Sequence, residues 1–267
     1  TGTRHGPRAV REQTTLVRRV NQATGVTPFD LVRVADCGDA FLEAPYELMG
    51  AHKEIEDFFA KIKSAGTTTL AVGGDHSISL PILRAIAKDG PVGMVHIDAH
   101  CDTGDDYLGS KFHHGGPFRK AVLDGVLDPE RVIQIGIRGG AEYLWEFSYD
   151  SGMTVVHGEE IPKIGIEAII KQARAVAGSG PVYVTFDIDS LDPAFAPGTG
   201  TPEVGGLTTR EALEILRGLK GLDIVGADIV EVAPQYDATT NTAQAGAQVM
   251  FTLLSLVDIA IEERRKK

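Results

Sequence analysis

Short apolar runs rich in β-branched residues alternate with longer amphipathic stretches along most of this chain. Short apolar runs predict buried strands, whereas apolar positions three and four residues apart predict helices packed on a core. The pattern predicts six strands, at residues 31–37, 68–72, 92–97, 132–137, 182–187 and 224–230. It predicts helices at residues 46–64, 79–88, 166–177, 209–219 and 242–265.

This alternation of strands and helices is typical of an α/β fold, with three layers (α/β/α) around a mostly parallel central sheet. We find no internal repeat, low-complexity segment or linker, and we therefore predict one domain over residues 1–267. Ligands of such sheets collect at the carboxyl ends of the strands. Residues that carry chemistry are therefore expected directly after the apolar runs.

Three of the predicted strands are followed by histidine and aspartate. The residues are His76 after the second run, Asp98, His100 and Asp102 after the third, and Asp187 and Asp189 at the end of the fifth. Alternate residues at a strand end project to the same side, so each group can converge. An isolated Asp-x-His or Asp-x-Asp is more often a turn or a helix cap, but three such groups at successive strand ends favour a metal site.

Four aspartates gathered in one place would repel one another and raise each other's pKa values. Two divalent cations remove that penalty, and carboxylates then commonly bridge the two ions. Histidine with carboxylate oxygens suits Mn²⁺, Ni²⁺, Co²⁺ or Fe²⁺ better than a structural zinc, which prefers thiolates.

Composition excludes several classes of partner. The formal net charge of −11 over 267 residues argues against nucleic acid, which requires clustered Lys and Arg. The two cysteines, Cys37 and Cys101, form no disulfide framework and favour a reducing, cytoplasmic compartment. We see no run of roughly 18 apolar residues and expect no membrane-spanning segment.

The three polar segments, together with residues 196–203 (APGTGTPE), closely resemble the ureohydrolases, the family of arginase, agmatinase and hydrolases of guanidino acids. The resemblance extends over nearly the whole chain. Residues 3–7 (TRHGP) and 114–118 (HGGPF) make it more similar to agmatinase and guanidinobutyrase than to arginase.

The resemblance implies two manganese ions per chain, with Ni²⁺ or Co²⁺ as alternatives. By the family pattern, the first ion would be held by His76, Asp98, Asp102 and Asp187. The second would be held by Asp98, His100, Asp187 and Asp189, so that Asp98 and Asp187 bridge the two ions. Every expected ligand is present in this chain.

The implied reaction is hydrolysis of a guanidino group to urea and an amine. A guanidinium carbon is a poor electrophile, and two cations sharing a water can supply hydroxide near neutral pH. By resemblance, Asp102 accepts the proton of the nucleophile and His114 acts as proton shuttle. Glu231 would pair with the guanidinium nitrogens, and Asp228 would support the site from behind.

The sequence constrains the tail of the substrate, beyond the guanidino group, less than it constrains the reaction. Gly104 stands where arginases carry an asparagine that holds the amino-acid end, which disfavours arginine. The distal ammonium of agmatine would be met by residues of the following loop, Asp105, Asp106 and Tyr107. A carboxylate tail, as in 4-guanidinobutyrate or 3-guanidinopropionate, would instead require Lys111 or Arg138. Agmatine is the preferred prediction, and a guanidino acid is the alternative.

The family also carries a strand ahead of Gly2 that lies inside the sheet, and we expect the active protein to have it, because its absence would leave unpaired backbone. A homo-oligomer, a trimer or hexamer, is implied. Two other classes remain as alternatives: a non-catalytic scaffold subunit of the same fold, and a single-metal deacylase. The complete set of ligands argues against both.

Overall fold

A computed structural model describes residues 2–140 and 142–266, and one six-stranded sheet lies at its centre. The strands are β1 (Thr69–Val72), β2 (Val92–Ile97), β3 (Leu127–Ile137), β4 (Thr154–His157), β5 (Pro181–Asp187) and β6 (Asp223–Val230). Their order in the sheet is β1-β6-β5-β2-β3-β4, and every pairing between these six strands is parallel. The predicted α/β fold with a parallel sheet is confirmed.

Helices cover both faces of the sheet. They are α1 (Gly6–Gln13), α2 (Pro28–Leu31), α3 (Leu48–Ser64), α4 (Ser79–Ile86), α5 (Pro117–Leu123), α6 (Glu142–Asp150), α7 (Ile161–Ile164), α8 (Ile166–Ala177), α9 (Thr209–Gly218) and α10 (Asn241–Arg265). Side chains of β2 alternate between two cores, with Val95 and Ile97 in the core under α8, α9 and α10, and Met94 in the core under α3, α4 and α5. A strand buried on both faces has to be apolar at nearly every position, which explains why β2 was easy to predict.

One predicted strand is wrong. Residues 31–37 form no strand: α2 ends at Leu31, and the chain continues without regular structure to residue 42. Leu31 and Val34 are both 39% exposed, although their β-branched and apolar surroundings favour a strand. A strand requires a neighbour to accept its backbone hydrogen bonds, and this segment has none among the described residues.

The sequence pattern also missed regular elements. Strand β4 is only four residues long, and helices α1 and α5 begin inside the two glycine-proline motifs that were recognised for their chemistry. In each of these helices proline occupies one of the first positions, where its missing N–H has no partner to lose.

Helix α10 bears on the expectation that no segment spans a membrane. By length and composition it is the one helix within residues 2–140 and 142–266 that is long and apolar enough to do so. However, 67% of its most apolar window is buried inside the protein, where it packs against β6, α1 and α9. Its apolar character is accounted for by this central position in the core.

An open groove of about 2080 Å³ runs along the free edge of β1. It is lined on one side by β1 and on the others by residues 32–40, α3 and α10. Asp258 of α10 reaches this groove and is 1% exposed, and neither of its carboxylate oxygens has a hydrogen-bond partner among the described residues. Burial raises the pKa of Asp258 from 3.8 to about 6.

We predict that Asp258→Asn stabilises this chain at high pH. Because the folded state holds the Asp258 proton more tightly than the unfolded state, stability falls as the pH rises from 4 through 6, and the full penalty is present above pH 6. The variant escapes this penalty, so its free energy of unfolding should exceed that of the wild type by up to about 3 kcal/mol at pH 8 and by little at pH 4. Urea denaturation at both pH values measures the difference.

The exposed Asp150→Asn change serves as the control and should leave stability unchanged at both pH values. An Asp258→Asn variant that is destabilised, and more so at pH 8 than at pH 4, would show that the ionised carboxylate has a partner in the folded protein.

Candidate metal centre

Four adjacent strands bring the predicted ligands to one edge of the sheet. His76 opens a short 3₁₀ turn after β1, Asp98 follows β2, Asp187 ends β5 and Glu231 follows β6. The strand order β1-β6-β5-β2 makes the carboxyl ends of these strands neighbours, so the loops that follow them converge. All four side chains are buried.

The first cluster is centred on the Nδ1 atom of His76. Three carboxylate oxygens surround it, the Oδ2 atoms of Asp102 at 3.0 Å, Asp98 at 3.1 Å and Asp187 at 3.2 Å. These four residues are the set expected for the first ion. Metal–ligand bonds of about 2.1 Å at right angles place ligand atoms about 3 Å apart, which is the spacing found here.

The hydrogen bond on the other side of the ring fixes the tautomer of neutral His76. Its Nε2 lies 2.8 Å from the hydroxyl of Thr185, which donates its single proton to Asp228 at 2.5 Å. The hydroxyl can therefore only accept from His76, so Nε2 carries a proton and Nδ1 presents a lone pair to the three carboxylates. No hydrogen bond to Nδ1 is found among the described residues.

A lone pair that faces three carboxylate oxygens in a dry site is repulsive unless a cation lies between them. Burial by itself would lower the pKa of His76, but Asp102, Asp187 and Asp98 raise it well above its ordinary value, so a proton would hold this cluster wherever no metal does. Metal binding would displace that proton, as is usual for histidine ligands. Neutral imidazole with three carboxylates fits a hard or borderline dication.

The second cluster adjoins the first through Asp98. Nδ1 of His100 lies 3.1 Å from Oδ2 of Asp189 and 3.5 Å from Oδ1 of Asp98, whose other oxygen faces His76. The two oxygens of Asp98 thus face two different histidines, as a bridging ligand requires. Asp187 accepts a hydrogen bond from the backbone N–H of Asp189 at 2.8 Å, and within the described part of the chain this is its hydrogen bond to the second cluster. Its bridging role stays a prediction. A side chain at Gly139 would collide with the His100 ring, because a Cβ there would lie 2.4 Å from Nε2.

Two carboxylates of this edge are held in an unfavourable electrostatic state. Burial, followed by the charges of Asp189 and Asp98, raises the pKa of Asp187 well above its usual range. Burial and Asp98 raise that of Asp189 as well. At Asp98 the neighbouring histidines outweigh burial and hold the pKa well below its usual range. Divalent cations would neutralise negative charge that is gathered in a buried place in this way.

Two of the predicted catalytic residues adopt strained backbone conformations. Asp102 has φ of 51° and Glu231 has φ of 64°, in the left-handed region that usually costs a non-glycine residue about 1–3 kcal/mol. Glu231 is held there by two bonds, from the backbone N–H of His76 to its Oε1 at 2.8 Å and from its own N–H to the carbonyl of Gly74 at 3.0 Å. Burial, with a contribution from Asp75, raises the pKa of Glu231 to about 8.

Asp228 lies directly behind the first cluster. Its carboxylate accepts hydrogen bonds from three hydroxyl groups, those of Thr185 at 2.5 Å, Ser79 at 2.6 Å and Tyr183 at 2.7 Å. It is completely buried and reaches His76 only through Thr185. The supporting role of Asp228 stays a prediction, and this contact through Thr185 is compatible with it.

The loops at the mouth stay outside the buried clusters. His114 is exposed on a loop that runs beside Asp102, where the carbonyl of Gly115 accepts from Gly104 at 2.8 Å. Asp105 lies 3.4–3.5 Å from two cations, Arg119 and Lys120.

The other two residues of that loop also have local partners. Asp106 accepts a hydrogen bond from the backbone of Gly109 at 2.8 Å, and Tyr107 is 58% exposed with its ring against His113. None of the three proposed tail residues reaches the metal clusters.

His96 and Thr185 were missed as functional residues. Nε2 of His96 donates to Oδ2 of Asp98 at 2.6 Å, since an ionised carboxylate only accepts, and Thr185 contacts His76. A signal for both was present, because each lies two residues before a predicted ligand and therefore projects to the same face of its strand. Polar residues inside otherwise apolar, fully buried runs are costly, and that cost indicates a role.

A family model and two proteins of known name match this chain over most of its length. Residues 1–255 match the family model described as the arginase family. A guanidinopropionase from Pseudomonas aeruginosa is 51% identical over 259 residues, which cover 96% of this chain and 81% of that protein. A mitochondrial agmatinase from Gallus gallus is 50% identical over 259 residues, 96% of this chain and 76% of that protein.

Among solved structures, the proclavaminate amidino hydrolase from Streptomyces clavuligerus superposes with a TM-score of 0.92 at 37% identity. The match covers 97% of this chain and 87% of that one. The six-stranded sheet and its helices are therefore found in a solved structure of similar sequence.

We predict that Thr185→Val weakens metal binding without removing a ligand. The change keeps the shape of the side chain but leaves Nε2 of His76 and a carboxylate oxygen of Asp228 unpaired, and loss of such outer partners typically costs 10–100-fold in metal affinity. Mn²⁺ titration against a competing chelator measures the loss.

Thr69→Val on β1 is the matched control. The hydroxyl of Thr69 is also buried but has no hydrogen-bond partner among the described residues, so its removal should leave Mn²⁺ affinity unchanged. Equal affinity of both variants would contradict the assigned role of Thr185.

Proposed function

The chain belongs to the arginase family and is a ureohydrolase of guanidino compounds, and we propose that its preferred substrate is agmatine, which it converts to urea and putrescine. The observation that carries the reaction is the pair of buried His and Asp clusters that share Asp98. They support a binuclear metal site. We propose Mn²⁺ for both positions, with Ni²⁺ or Co²⁺ as alternatives, because imidazole and carboxylate together suit these ions.

The two cations would supply the nucleophile, since they lower the pKa of water enough for attack near neutral pH. The protein positions the guanidinium carbon. Glu231 offers a carboxylate that is buried and fixed by the backbone of His76, and it lies beside the first cluster. Ionised Glu231 and a planar guanidinium form a charge-assisted pair that fixes the orientation of the substrate.

The raised pKa of Glu231 has a direct consequence for binding. A buried carboxylate with a pKa of about 8 lacks a cationic partner, and a guanidinium ion is such a partner. Glu231 thus favours a cationic group over a neutral amide or urea. Urea, the product, is neutral and is held less tightly, which assists its release.

Proton transfer is assigned to Asp102 and His114. Asp102 lies within the first cluster, with one oxygen 3.0 Å from His76, and is placed to take the proton of the attacking water. The departing amine has to be protonated, and exposed His114, on the loop beside Asp102, is the group that can exchange protons with solvent.

The charges at the mouth favour a cationic tail. The side chain of Glu203 is 40% exposed, and its carboxylate lies 3.7 Å from Nε2 of His100. Arg138, one of two cations considered for a carboxylate tail, donates instead to main-chain carbonyls, those of Gly136, Asp189, Ser190, Leu191 and Glu203. An ammonium group is the better complement to this surface.

A guanidino acid is the second candidate. It is supported by the 51% identity to a guanidinopropionase, which is as high as the identity to an agmatinase. Lys111, exposed on the loop at the mouth, is the cation that would meet a carboxylate tail. The two candidates share the reaction and differ only in the charge of the tail.

We predict that the Mn²⁺-loaded protein releases urea from agmatine at least about 10-fold more efficiently than from 3-guanidinopropionate or 4-guanidinobutyrate. The preference over arginine should be about 100-fold. The reason is that a carboxylate tail placed beside the acidic groups of the mouth would cost several kcal/mol. The panel is measured as kcat/KM for urea release, with Ni²⁺-loaded and chelator-treated protein alongside. Preference for a guanidino acid would overturn the choice of agmatine and leave the reaction intact. Absence of urea from every compound, with two ions bound, would overturn the proposed function.

The number of metal ions bound per chain distinguishes the proposed ureohydrolase from the two alternative classes of protein. A ureohydrolase of this kind binds two per chain, a single-metal deacylase one and a silent scaffold none.

We predict that Glu231→Gln lowers kcat/KM for the preferred substrate by about 100-fold or more, since truncating one side of a buried charge pair costs about 2–5 kcal/mol. Both metal ions should remain bound, because Glu231 contacts His76 only through the backbone. Glu214→Gln, an exposed change on α9, is the control and should not alter turnover. A Glu231→Gln variant with full activity would exclude the guanidinium contact.

A further inference from the structure

A row of polar side chains crosses the buried sheet one layer beneath the metal clusters. Gln134, His96, Thr185 and Asp228 are register partners on the neighbouring strands β3, β2, β5 and β6. All four are completely buried. Thr185 and Asp228 act on His76, as described above, which leaves Gln134 and His96 without an assigned task.

The hydrogen bonds of Gln134 determine the tautomer of His96. The Nε2 atom of Gln134 lies 2.6 Å from the carbonyl oxygen of Cys101 and 3.0 Å from Nδ1 of His96. A carbonyl oxygen only accepts, so the amide nitrogen must occupy this position, and its two protons serve both partners. Nδ1 of His96 is then an acceptor, and its proton resides on Nε2.

That proton points at Asp98. Nε2 of His96 lies 2.6 Å from Oδ2 of Asp98, the oxygen that also faces His76, while Oδ1 faces His100. A hydrogen-bond donor at Oδ2 fixes the orientation of the Asp98 carboxylate. That orientation determines whether Oδ2 can face the first cluster while Oδ1 faces the second.

We propose that Gln134 and His96 are positioning residues for the metal centre: Gln134 fixes the Nε2–H tautomer of His96, and His96 orients Asp98 so that it spans the two clusters. This inference rests on the proposed binuclear site. The second proton of Gln134 holds the ligand loop at another point, the carbonyl of Cys101, between His100 and Asp102. The ring of Phe118, 4.6 Å from that of His96, limits rotation of the imidazole.

Filling space in the core does not explain why Gln134 and His96 are polar. Buried polar groups cost free energy unless each is paired, and apolar side chains of equal volume would fill the same space without that cost. Every hydrogen bond that the pair makes ends on Asp98 or on the loop that carries His100 and Asp102. Outer partners of metal ligands are arranged in this way because they set ligand orientation and basicity.

The first experiment compares three variants by Mn²⁺ affinity, measured by chelator competition on folded protein. His96→Phe keeps a ring but loses the donor to Asp98, and should weaken Mn²⁺ binding by about 10–100-fold. His96→Gln places an amide N–H in the same direction and should recover most of that loss. His157→Phe, a half-buried histidine at the end of β4 that contacts neither cluster, should bind Mn²⁺ as the wild type does.

The second experiment begins with the wild-type protein, so its first result does not depend on whether a variant folds. Nitrogen chemical shifts of ¹⁵N-labelled histidine in the metal-free wild type report which ring nitrogen of His96 carries the proton, and we expect Nε2. In Gln134→Met, which removes both donors, the preference for that tautomer should be lost and Mn²⁺ affinity should fall by a few-fold.

The outcomes separate the inference from the proposed function. Wild-type protein that binds two Mn²⁺ ions and releases urea, together with His96→Phe of unchanged affinity, would overturn the positioning role alone. A proton on Nδ1 of His96 in the wild type would also overturn it, even if no His96 variant folds. Wild-type protein that binds no Mn²⁺ would overturn the proposed function, and the inference with it.

Discussion

Concentration of negative charge at one buried edge of the sheet is the constraint on which the rest of this structure depends. Four aspartates meet two histidines there, almost without access to water, and the pKa values of Asp187 and Asp189 are raised accordingly. Such a site is costly without cations, so metal binding here would be thermodynamically linked to folding. The direction of every nearby hydrogen bond is consistent with this, since the lone pair of His76 faces the carboxylates.

The parallel sheet meets this constraint through its register. Polar side chains on four neighbouring strands line up one layer below the ligands, so that Thr185 lies under His76 and His96 lies under Asp98. A sheet holds such a row more rigidly than a set of loops would, because each strand is fixed by two neighbours. The predicted ligands lie at the carboxyl ends of the strands or in the short loops that follow them, and strained backbone such as that of Asp102 lies in such a loop.

The two metal-ligand clusters and the loop proposed to meet the tail of the substrate lie in different parts of the molecule. The clusters and Glu231 are buried, whereas the loop of Asp105, Asp106 and Tyr107 is exposed at the mouth. With the proposed roles, a change at the mouth would alter which tail is bound and leave the buried clusters in place. This separation agrees with the relatives of the chain, since proteins named guanidinopropionase and agmatinase are about equally similar to it.

The sequence by itself determined the strands that are buried on both faces, because such strands are continuous apolar runs. It also determined the positions of the predicted ligands, because these are polar residues two apart where an apolar run ends. It failed at residues 31–37, since a strand also requires a neighbour, and no local pattern reports whether one is present. Tertiary structure alone decided the tautomers of His76 and His96. These depend on Thr185 and Gln134, which belong to other strands and reach the histidines only through the register of the sheet. The tertiary structure also decided that the guanidinium of Arg138 donates its hydrogen bonds to main-chain carbonyls. Long-range contacts, and not residue type, determine whether a charged side chain is available to a ligand.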